Sequence, residues 1–581
     1  MKIVLYCSGF NGLSQRAWLE LGASGHDVSV HLASDDRPLE RVCRAVEPDL
    51  VICPFLKDRV PAEVWRRYRT IIIHPGPMGD RGPSSLDWAI AEGAPTWGVT
   101  ALQAVDQMDA GPIWAARTFS MPATTDPGST PATTNPLSIP ATPPRKGALY
   151  NGPVADLAIE LIHEVVANAV DPSFEPQPLD YGRPEVTGRL RPMMTQADRA
   201  FSWEDPTEAI VRSIRAADGS PGVSTTLADR PVSVFDAWPG PHVGVSQAPG
   251  TILAARNGAV QVATGDGTLW IGQARDRSGA ARPALKLPAA SVLRDRLQGA
   301  LVLLPDLGNR LGGGNDITYR REGAVGVLHF DFYNGAMSTG QCQRLRSVFR
   351  RAAAQDTRVL VLRGGEVFSN GIDLNTIEAS GDPATESWRN INAIDDLCRE
   401  IITCTDQLVV ASVGGNAGAG GVMLALGADQ VFVRESVVLN PHYATMGLYG
   451  SEYWTYVLPR RVGADMAEHL TSACLPIGAV CATRLGLADF VVSADRELFE
   501  AVVLDQAKSL ATSSRSDKLL EQKRRRRARD ERRKPLEAYR TEELAEMSRD
   551  MFDNRSGFAQ ARQAFVHKQR PTATPAYLAT G

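Results

Sequence analysis

The sequence predicts a multidomain α/β protein. Its 581 residues exceed what one hydrophobic core organises, and at about 150 residues per domain the length suggests about four units. Two separate stretches alternate short Val- and Ile-rich runs with helical segments, the pattern of βαβ units around a parallel sheet. A composition of 43% hydrophobic and 22% charged residues is typical of a folded globular chain and argues against a disordered or fibrous one.

Charge and targeting signals narrow the class of protein. Sixty-two basic and 66 acidic residues give a net charge of −4, so nucleic-acid binding would need a local basic patch. The N-terminal run is typical of a first strand rather than a secretory signal, and no run of about 18 apolar residues predicts a membrane span. The eight cysteines form no CxxC pair, which predicts reduced packing residues of a cytoplasmic protein. The sequence contains no HExxH or HxxxH pair of histidines, so it gives no indication of a metal site.

The first hundred residues predict four strands separated by helices. In parallel sheets, ligands bind beyond the carboxyl ends of the strands. Two glycine-containing turns, 8–12 and 74–82, follow such ends. The predicted strands are 3–6, 28–33, 50–55 and 70–73, and the predicted helices are 14–21, 39–46 and 62–68.

A Pro-, Thr- and Ala-rich segment, 122–145, interrupts this pattern. It carries almost no charge and few large apolar residues, so it predicts a mobile surface insertion, with a docking segment as the weaker alternative. A helix over 154–169 and a proline-rich connector, 171–192, follow.

The middle of the chain predicts a small, mainly β module. An amphipathic helix at 207–217 precedes short strands between Gly and Asn turns, which is compatible with a barrel. Glycines in 304–316 mark a linker. A second α/β unit begins near residue 317. Its predicted strands are 326–330, 359–364 and 409–415, and its predicted helices are 339–354 and 388–405.

The end of the chain, from about residue 513, is polar and predicted helical. It contains the basic run 522–534. A solvated helix face is the favoured interpretation of such a run, and a patch for a phosphate-bearing ligand is the alternative.

Two motifs in the first half carry a family resemblance. The strings IIIHPGPMGDRGPSSLDWAI (71–90) and WGVTALQAVDQMDAGPI (97–113) resemble the folate-dependent formyltransferase and formyltetrahydrofolate hydrolase family. Later segments of the β module resemble that family's barrel-like second domain. The resemblance implies a formyltransferase-like domain over 1–186, a β-barrel-like domain over 187–298, and 10-formyltetrahydrofolate as cofactor.

The resemblance also implies the catalytic pair of the first site, His74 and Asp109. Formyl transfer passes through a tetrahedral oxyanion, to which a histidine can donate while a carboxylate tunes it and moves the proton. Arg81 belongs to the same expected site. The family's Asn two residues before the histidine is Ile72 here, so either Asn11 or Gln15 supplies the missing amide or the acceptor chemistry differs.

Four motifs in the second half resemble the crotonase (enoyl-CoA hydratase/isomerase) superfamily. They are FYNGAMS (332–338), VFSNGIDLN (367–375), GGNAGAGGVMLALGAD (414–429) and GLYG (447–450). The resemblance implies a thioester carbonyl polarised by the backbone N–H groups of Asn370 and Gly420, with Gly371 and Asp373 at the coenzyme A site. Glycine suits such a site because a ligand oxygen must approach the main chain closely.

The hydratase carboxylates of that superfamily are absent. Their positions hold Met423 and Tyr443, and Glu452 is a new acidic residue in about the same region. The sequence therefore predicts thioester polarisation without water addition.

Together the two halves resemble hydrogenase maturation proteins of the HypX/HoxX type. The resemblance implies formyl transfer from 10-formyltetrahydrofolate to coenzyme A at His74 and Asp109. Tyr443 and Glu452 would then manage decarbonylation of formyl-CoA to CO, the iron ligand of [NiFe]-hydrogenase. It also implies a linker at 299–316, a crotonase-like domain at 317–512 and a helical tail at 513–581. Small-molecule substrates and hydrogenase maturation proteins are the candidate partners.

Two alternatives remain open from the sequence. One is a formyltetrahydrofolate hydrolase or formyltransferase fused to an acyl-CoA hydrolase, which would release formate. The other is a coenzyme A-sensing maturation factor without catalysis, since the Asn expected at position 72 and the Glu expected at position 423 are missing. Formylation of methionyl-tRNA is disfavoured by the net acidity and by the second half.

Overall fold

The computed structural model describes residues 1–121, 142–240, 246–279, 284–303 and 315–579. These residues form two compact units. The first unit comprises the described residues up to 303 together with 570–579, and the second comprises 315–569. The predicted domain boundaries at residues 187 and 299 would divide the chain further than these two units do, and they stay predictions.

The first unit begins with a six-stranded mixed sheet in the order β2-β1-β3-β4-β5-β6. The four predicted strands run parallel, whereas β5 and β6 are antiparallel additions. The carboxyl ends of β1 and β4 therefore lie at the same edge of the sheet. The elements are β1 (Lys2–Cys7), α1 (Gly12–Ala23), β2 (Asp27–Leu32), α2 (Leu39–Val46), β3 (Leu50–Cys53), α3 (Ala62–Trp65), β4 (Thr70–His74), α4 (Ser85–Ala91), β5 (Thr96–Gln103) and β6 (Ile113–Ser120).

Most of the predicted insertion, residues 122–141, lies outside the described residues. Its last residues belong to the packed structure, since Thr142 and Arg145 are buried. The chain then forms α5 (Lys146–Leu149), a π-helical turn (Tyr150–Val154) and α6 (Ala155–Val170).

The β module is a seven-stranded, mainly antiparallel sheet in the order β13-β9-β10-β11-β8-β7, with β12 beside β11. Ile210, Val211 and Ile214 of the amphipathic helix pack into its core. The elements are α7 (Thr207–Ala216), β7 (Val223–Leu227), β8 (Arg230–Pro239), β9 (Ile252–Arg256), β10 (Ala259–Ala263), β11 (Thr268–Asp276), β12 (Leu287–Pro288), α8 (Ala289–Val292) and β13 (Leu301–Val302).

The second unit is built on a six-stranded sheet in the order β14-β15-β16-β17-β19-β22, in which only β14 is antiparallel to its neighbour. Strands β18, β20 and β21 form a small second sheet. The elements are β14 (Ile317–Glu322), β15 (Val325–Phe330), α9 (Thr339–Ala353), β16 (Val359–Gly364), α10 (Leu374–Glu378), α11 (Pro383–Thr403), β17 (Leu408–Val413), β18 (Ala417–Gly418), α12 (Gly420–Leu426), β19 (Gln430–Arg434), β20 (Val438–Asn440), α13 (Trp454–Val462), α14 (Ala464–Ala473), β21 (Ile477–Gly478), α15 (Ala479–Leu485) and β22 (Phe490–Val492).

The end of the chain is helical, as predicted. Its helices are α16 (Arg496–Thr512), α17 (Ser516–Arg533), α18 (Leu536–Met551), α19 (Phe558–Val566) and α20 (Ala576–Ala579). The basic run lies on α17, and it is more than a solvated face. Lys523 is buried and donates to the backbone oxygen of Gln407 at 2.9 Å and to Asp429 at 2.5 Å, so part of the run anchors the helix.

Within the described part of the chain, no helix has the length and apolar character required to cross a bilayer. All eight cysteines are free thiols, and five of them are buried. The described residues contain no group of three or more His, Cys, Asp or Glu arranged to hold a metal ion.

Candidate active sites

The first candidate site lies where β4 ends. His74 is its last residue, pairs with Thr100 of β5, and is buried. Asp109 lies in the turn between β5 and β6, with a left-handed backbone (φ 51°). The structure therefore brings together the two residues that the sequence predicted as a pair.

His74 lies between two carboxylates. Its Nε2 is 2.8 Å from Asp80 Oδ2, and its Nδ1 is 3.6 Å from Asp109 Oδ2. Burial disfavours the imidazolium, but the hydrogen bond to Asp80 and the negative charges of Asp109 and Asp80 outweigh burial and raise the pKa of His74. The charged form is thus favoured at the base of the site.

Asp80 is a site residue that the sequence analysis did not single out. Its second oxygen accepts a hydrogen bond from Arg191 at 2.9 Å, which fixes the carboxylate that orients His74. The turn leaves no room beside this pair: a Cβ on Gly76 would fall 2.3 Å from Asp80 Oδ2 and 2.6 Å from His74 Nε2. The sequence did contain a signal for Asp80, namely an acidic residue a few positions after the His-Pro-Gly string that starts at His74.

The turn around Arg81 holds Asp109 in place. Arg81 donates from Nε to the backbone oxygen of Met108 at 2.8 Å, and the N–H of Gly82 donates to Asp109 Oδ2 at 3.1 Å. These bonds give Arg81 a structural role at the site.

The candidates for the missing amide donor are both engaged. Asn11 caps α1 by accepting from the N–H of Ser14 and donates to the Tyr150 hydroxyl at 3.1 Å. Gln15 donates to the backbone oxygen of Phe10 at 3.1 Å. Ile72 packs against an apolar cluster of the sheet, so position 72 offers no polar group.

The second candidate site is formed by the turn after β16 and the start of α12. A Cβ on Gly371 would lie 3.5 Å from the nitrogen of Gly420, so the two glycine segments are adjacent. The N–H of Asn370, which was predicted as a donor, already donates to the backbone oxygen of Gly335 at 2.7 Å. This corrects the prediction, because that N–H is not available to a ligand.

Two other backbone N–H groups here are available. Among the described residues, neither the N–H of Ile372 nor that of Gly420 donates a hydrogen bond to a protein acceptor. Gly420 is the first residue of α12, where the N–H groups have no partner within the helix. The pair of amides suits an oxyanion.

Tyr443 and Glu452 lie together beside these amides, and both are buried. The Tyr443 hydroxyl donates to Glu452 Oε2 at 2.9 Å, and the N–H of Ser451 lies 3.3 Å from the same oxygen. The other oxygen, Oε1, faces the glycines: a Cβ on Gly420 would fall 2.0 Å from it, and one on Gly371 4.0 Å. A proton on Glu452 is therefore best placed on Oε1.

The surroundings of Glu452 favour its neutral form. Burial raises its pKa to about 8, and the negative charge of Asp395 adds to the shift, against the hydrogen bond from Tyr443. A carboxyl group with such a pKa can both give and take a proton near neutral pH.

Glu452 occupies a strained turn. Its φ is 60°, and that of Tyr453 is 59°, so two consecutive non-glycine residues are left-handed. Such residues cost about 1 kcal/mol or more each and persist only where the surroundings enforce them.

The remaining predicted residues of the second site have structural roles. The carboxylate of Asp373 accepts the N–H groups of Asn375 and Thr376 and thereby caps α10. Met423 is fully buried in the core, which accounts for the apolar residue at that position.

Two family models match this chain. A model of the formyl transferase C-terminal domain matches residues 193–287, and the enoyl-CoA hydratase/isomerase family model matches residues 321–574. A methionyl-tRNA formyltransferase from Roseiflexus castenholzii is 30% identical over 234 residues, which covers 40% of this chain and 63% of the relative.

Two proteins are similar over the full length. The hydrogenase maturation factor HoxX from Bradyrhizobium diazoefficiens is 43% identical over 583 residues, covering 100% of this chain and 97% of the relative. The crystal structure of HypX from Aquifex aeolicus in complex with tetrahydrofolic acid is 39% identical, covers 100% of this chain and 98% of its own, and superposes with a TM-score of 0.91.

Proposed function

Because the chain belongs to the HypX/HoxX family of hydrogenase maturation factors, we propose that it makes CO from a folate-bound formyl group in two steps. The formyl group of 10-formyltetrahydrofolate moves to the thiol of coenzyme A, and the resulting formyl-CoA is split into CO and coenzyme A. The CO becomes the ligand of the iron of a [NiFe]-hydrogenase.

The first step is assigned to His74 and Asp109. The thiol sulfur attacks the formyl carbon, the bond from that carbon to N10 of the folate breaks, and N10 takes the proton that the thiol gives up. An imidazolium at position 74 stabilises the oxyanion of the tetrahedral intermediate, and Asp109 carries the proton. The hydrogen bond between Asp80 and His74 orients the imidazole and raises its pKa.

The second step is assigned to the glycine segments, Glu452 and Tyr443. The N–H groups of Ile372 and Gly420 polarise the formyl oxygen. The bond between carbon and sulfur and the bond between carbon and hydrogen both break. Glu452 gives its proton to the leaving thiolate and takes the formyl proton, so that CO and the free thiol form without an oxidant or reductant.

A single observation carries the second step. Glu452 Oε1 lies beside the two glycine segments, whose Ile372 and Gly420 N–H groups donate no hydrogen bond among the described residues, and burial raises the pKa of Glu452 to about 8. An acid that can exchange a proton beside an oxyanion hole suits the cleavage of a formyl thioester better than the addition of water, for which the hydratase carboxylates are missing.

The experiment is to incubate the purified chain with 10-formyltetrahydrofolate and coenzyme A and to measure formyl-CoA and CO separately. We expect both from the wild type. His74→Ala should abolish both, whereas Glu452→Gln should form formyl-CoA and release CO at a rate lowered by about 100-fold or more.

The alternatives predict different products. Release of formate in place of CO would favour a formyl-CoA hydrolase. Binding of coenzyme A without any turnover would favour a sensing role. Either result would contradict the proposal.

A further inference from the structure

The turn that carries Glu452 is hydrogen-bonded mainly to side chains of two helices. The N–H of Glu452 donates to Asp395 of α11 at 2.8 Å. The N–H groups of Tyr453 and Thr455 each donate to Glu543 of α18 at 2.9 Å. A turn whose backbone groups pair with side chains takes the shape that those side chains impose.

Helix α18 makes two more contacts of this kind. Asp550 accepts the N–H of Tyr449 at 2.7 Å, and the sulfur of Met547 lies 3.2 Å from the nitrogen of Gly450. Glu543, Met547 and Asp550 are spaced by four and three residues, so they lie on one face of the helix. This face meets successive N–H groups of the turn.

Two of the acceptors are buried carboxyls that converge on Ser451. Its hydroxyl donates to Asp395 at 2.8 Å and lies 3.4 Å from Glu543 Oε2. The Nε of Arg540 is 3.8 Å from Asp395. Burial of several carboxyl groups with only a distant arginine beside them disfavours folding. A role in the site therefore explains the presence of these buried carboxyls better than a contribution to stability does.

We propose that Asp395 and Glu543 are positioning residues of the second site, which hold the turn in the left-handed conformation that aims Glu452 Oε1 at Gly420. This inference rests on the proposed function, because it takes Glu452 as the group that exchanges a proton with formyl-CoA. It makes α18, far along the chain, a component of that site.

The same two carboxyls also tune Glu452. Burial and the charges of Asp395 and Glu543 raise its pKa, so loss of either charge should lower it. The titratable groups that face Glu452 include Tyr443, Asp395, Glu543, Cys342 and Cys398. Asp395 in turn faces Arg540, Asp396 and Tyr453, and Glu543 faces Tyr449.

The test compares Glu543→Gln with Glu542→Gln in the full chain. A glutamine at 543 has one acceptor oxygen and cannot serve both N–H groups. Glu542 is on the same helix but is exposed and pairs with Lys534, so its variant is a matched control for charge. Infrared spectroscopy follows the protonation of Glu452 as a function of pH. The carboxylic acid band of Glu452 is identified as the one that is absent from the spectrum of Glu452→Gln.

We expect Glu543→Gln to lower kcat for CO release from formyl-CoA by roughly 100-fold, with little change in KM. The infrared midpoint should move to lower pH, because the negative charge of Glu543 contributes to the raised pKa of Glu452. Glu542→Gln should change neither quantity. An unchanged rate and midpoint in Glu543→Gln would overturn the inference.

Asp395→Asn provides the second variant, in case Glu543→Gln does not fold. The Asn oxygen can still accept the N–H of Glu452, so the midpoint should fall while kcat changes less than in Glu543→Gln. An unmoved midpoint would contradict the role of Asp395. If the wild type binds formyl-CoA without releasing CO, the proposed function fails, and the infrared midpoints still decide the roles of Asp395 and Glu543.

Discussion

A carboxylate lies near each ring nitrogen of His74, and the two carboxylates affect both the orientation and the pKa of the imidazole. The contact of 2.8 Å to Asp80 is the closer one. Asp80 is itself fixed by Arg191, so the imidazole is supported through two layers of polar side chains. Residues that orient a catalytic group in this way affect its pKa as well as its position.

The first residue-scale prediction is for Asp80→Asn. Because Asp80 raises the pKa of His74, the variant should lower it, and the pH dependence of formyl transfer should move to lower pH. The rate at neutral pH should fall by about 100-fold, as expected for loss of a charged acid. The measurement is the pH profile of formyl-CoA formation.

Asp106→Asn is the control for that change. Asp106 pairs with Arg59 at the surface, and both side chains are 73% exposed. Its pH profile should equal that of the wild type. An equal effect in both variants would show that net charge, rather than the contact with His74, sets the profile.

Single residues also show how far the sequence could be interpreted. His74 and Asp109 were predicted because short motifs carry them, and the structure brings them together. Asp80 was missed because its contact depends on how a tight turn folds back. Asn370 was misassigned by two positions, because only the hydrogen bond to Gly335 reveals which N–H of the turn remains available.

At the scale of elements, the last residues of the chain form part of the first unit. The hydroxyl of Thr574 accepts the N–H of Leu32 at 3.0 Å, and the N–H of Thr574 donates to Asp35 at 2.6 Å. Arg570 pairs with Asp58 at 2.8 Å. The segment thus completes the edge of the sheet beside β2.

Thr574→Ala should loosen this edge. It leaves the buried N–H of Leu32 without its acceptor, which costs about 1–3 kcal/mol. We expect faster amide hydrogen exchange at Leu32 and its neighbours in β2, measured by mass spectrometry. Thr572, whose side chain is exposed, is the control. Equal exchange in Thr572→Ala and Thr574→Ala would contradict the role of the hydroxyl.

Elements were predicted better than the contacts between distant ones. The four parallel strands of the first sheet, three strands of the second large sheet and helix α2 were predicted from short apolar runs and the segments between them, because these patterns are local. The pairing of α18 with the turn at Glu452 joins residues about ninety positions apart, and a polar helix gives no sign of which carboxyl is buried. Glu543 therefore could not be singled out from its sequence context.

At the scale of the whole molecule, the buried carboxyls predict how stability depends on pH. The pKa of Glu452 is raised from 4.5 to about 8, so the folded state retains a proton that the unfolded state releases. The stabilisation that the protonated Glu452 contributes is fully present below the unfolded pKa of 4.5, and it is lost as pH rises through the folded pKa of about 8. Stability should fall by about 1.4 kcal/mol per pH unit for each such proton.

Calorimetry of the full chain between about pH 5 and about pH 8 tests this. The transition of the second unit should move to lower temperature as pH rises, and Glu452→Gln should make that dependence shallower. A pH dependence identical in wild type and Glu452→Gln would mean that Glu452 is ionised in the folded protein.

The proposed function gives a reason for the length of the chain, because it requires one site for formyl transfer and another for cleavage of formyl-CoA. Under the proposed function, one chain both makes and consumes formyl-CoA, a labile thioester, and so limits the loss of this intermediate to hydrolysis. In that proposal the first unit supplies a histidine whose pKa is raised for acyl transfer, and the second supplies backbone amides and a carboxyl group whose pKa is raised to about 8 for cleavage of the thioester.

The most direct test follows the formyl carbon. The purified chain is incubated with coenzyme A and 10-formyltetrahydrofolate labelled with carbon-13 in the formyl group, and the gas phase is analysed by mass spectrometry. We predict labelled CO that requires coenzyme A, is lost in His74→Ala and forms about 100-fold or more slowly in Glu452→Gln. Labelled formate without labelled CO, under conditions in which both substrates bind, would contradict the account.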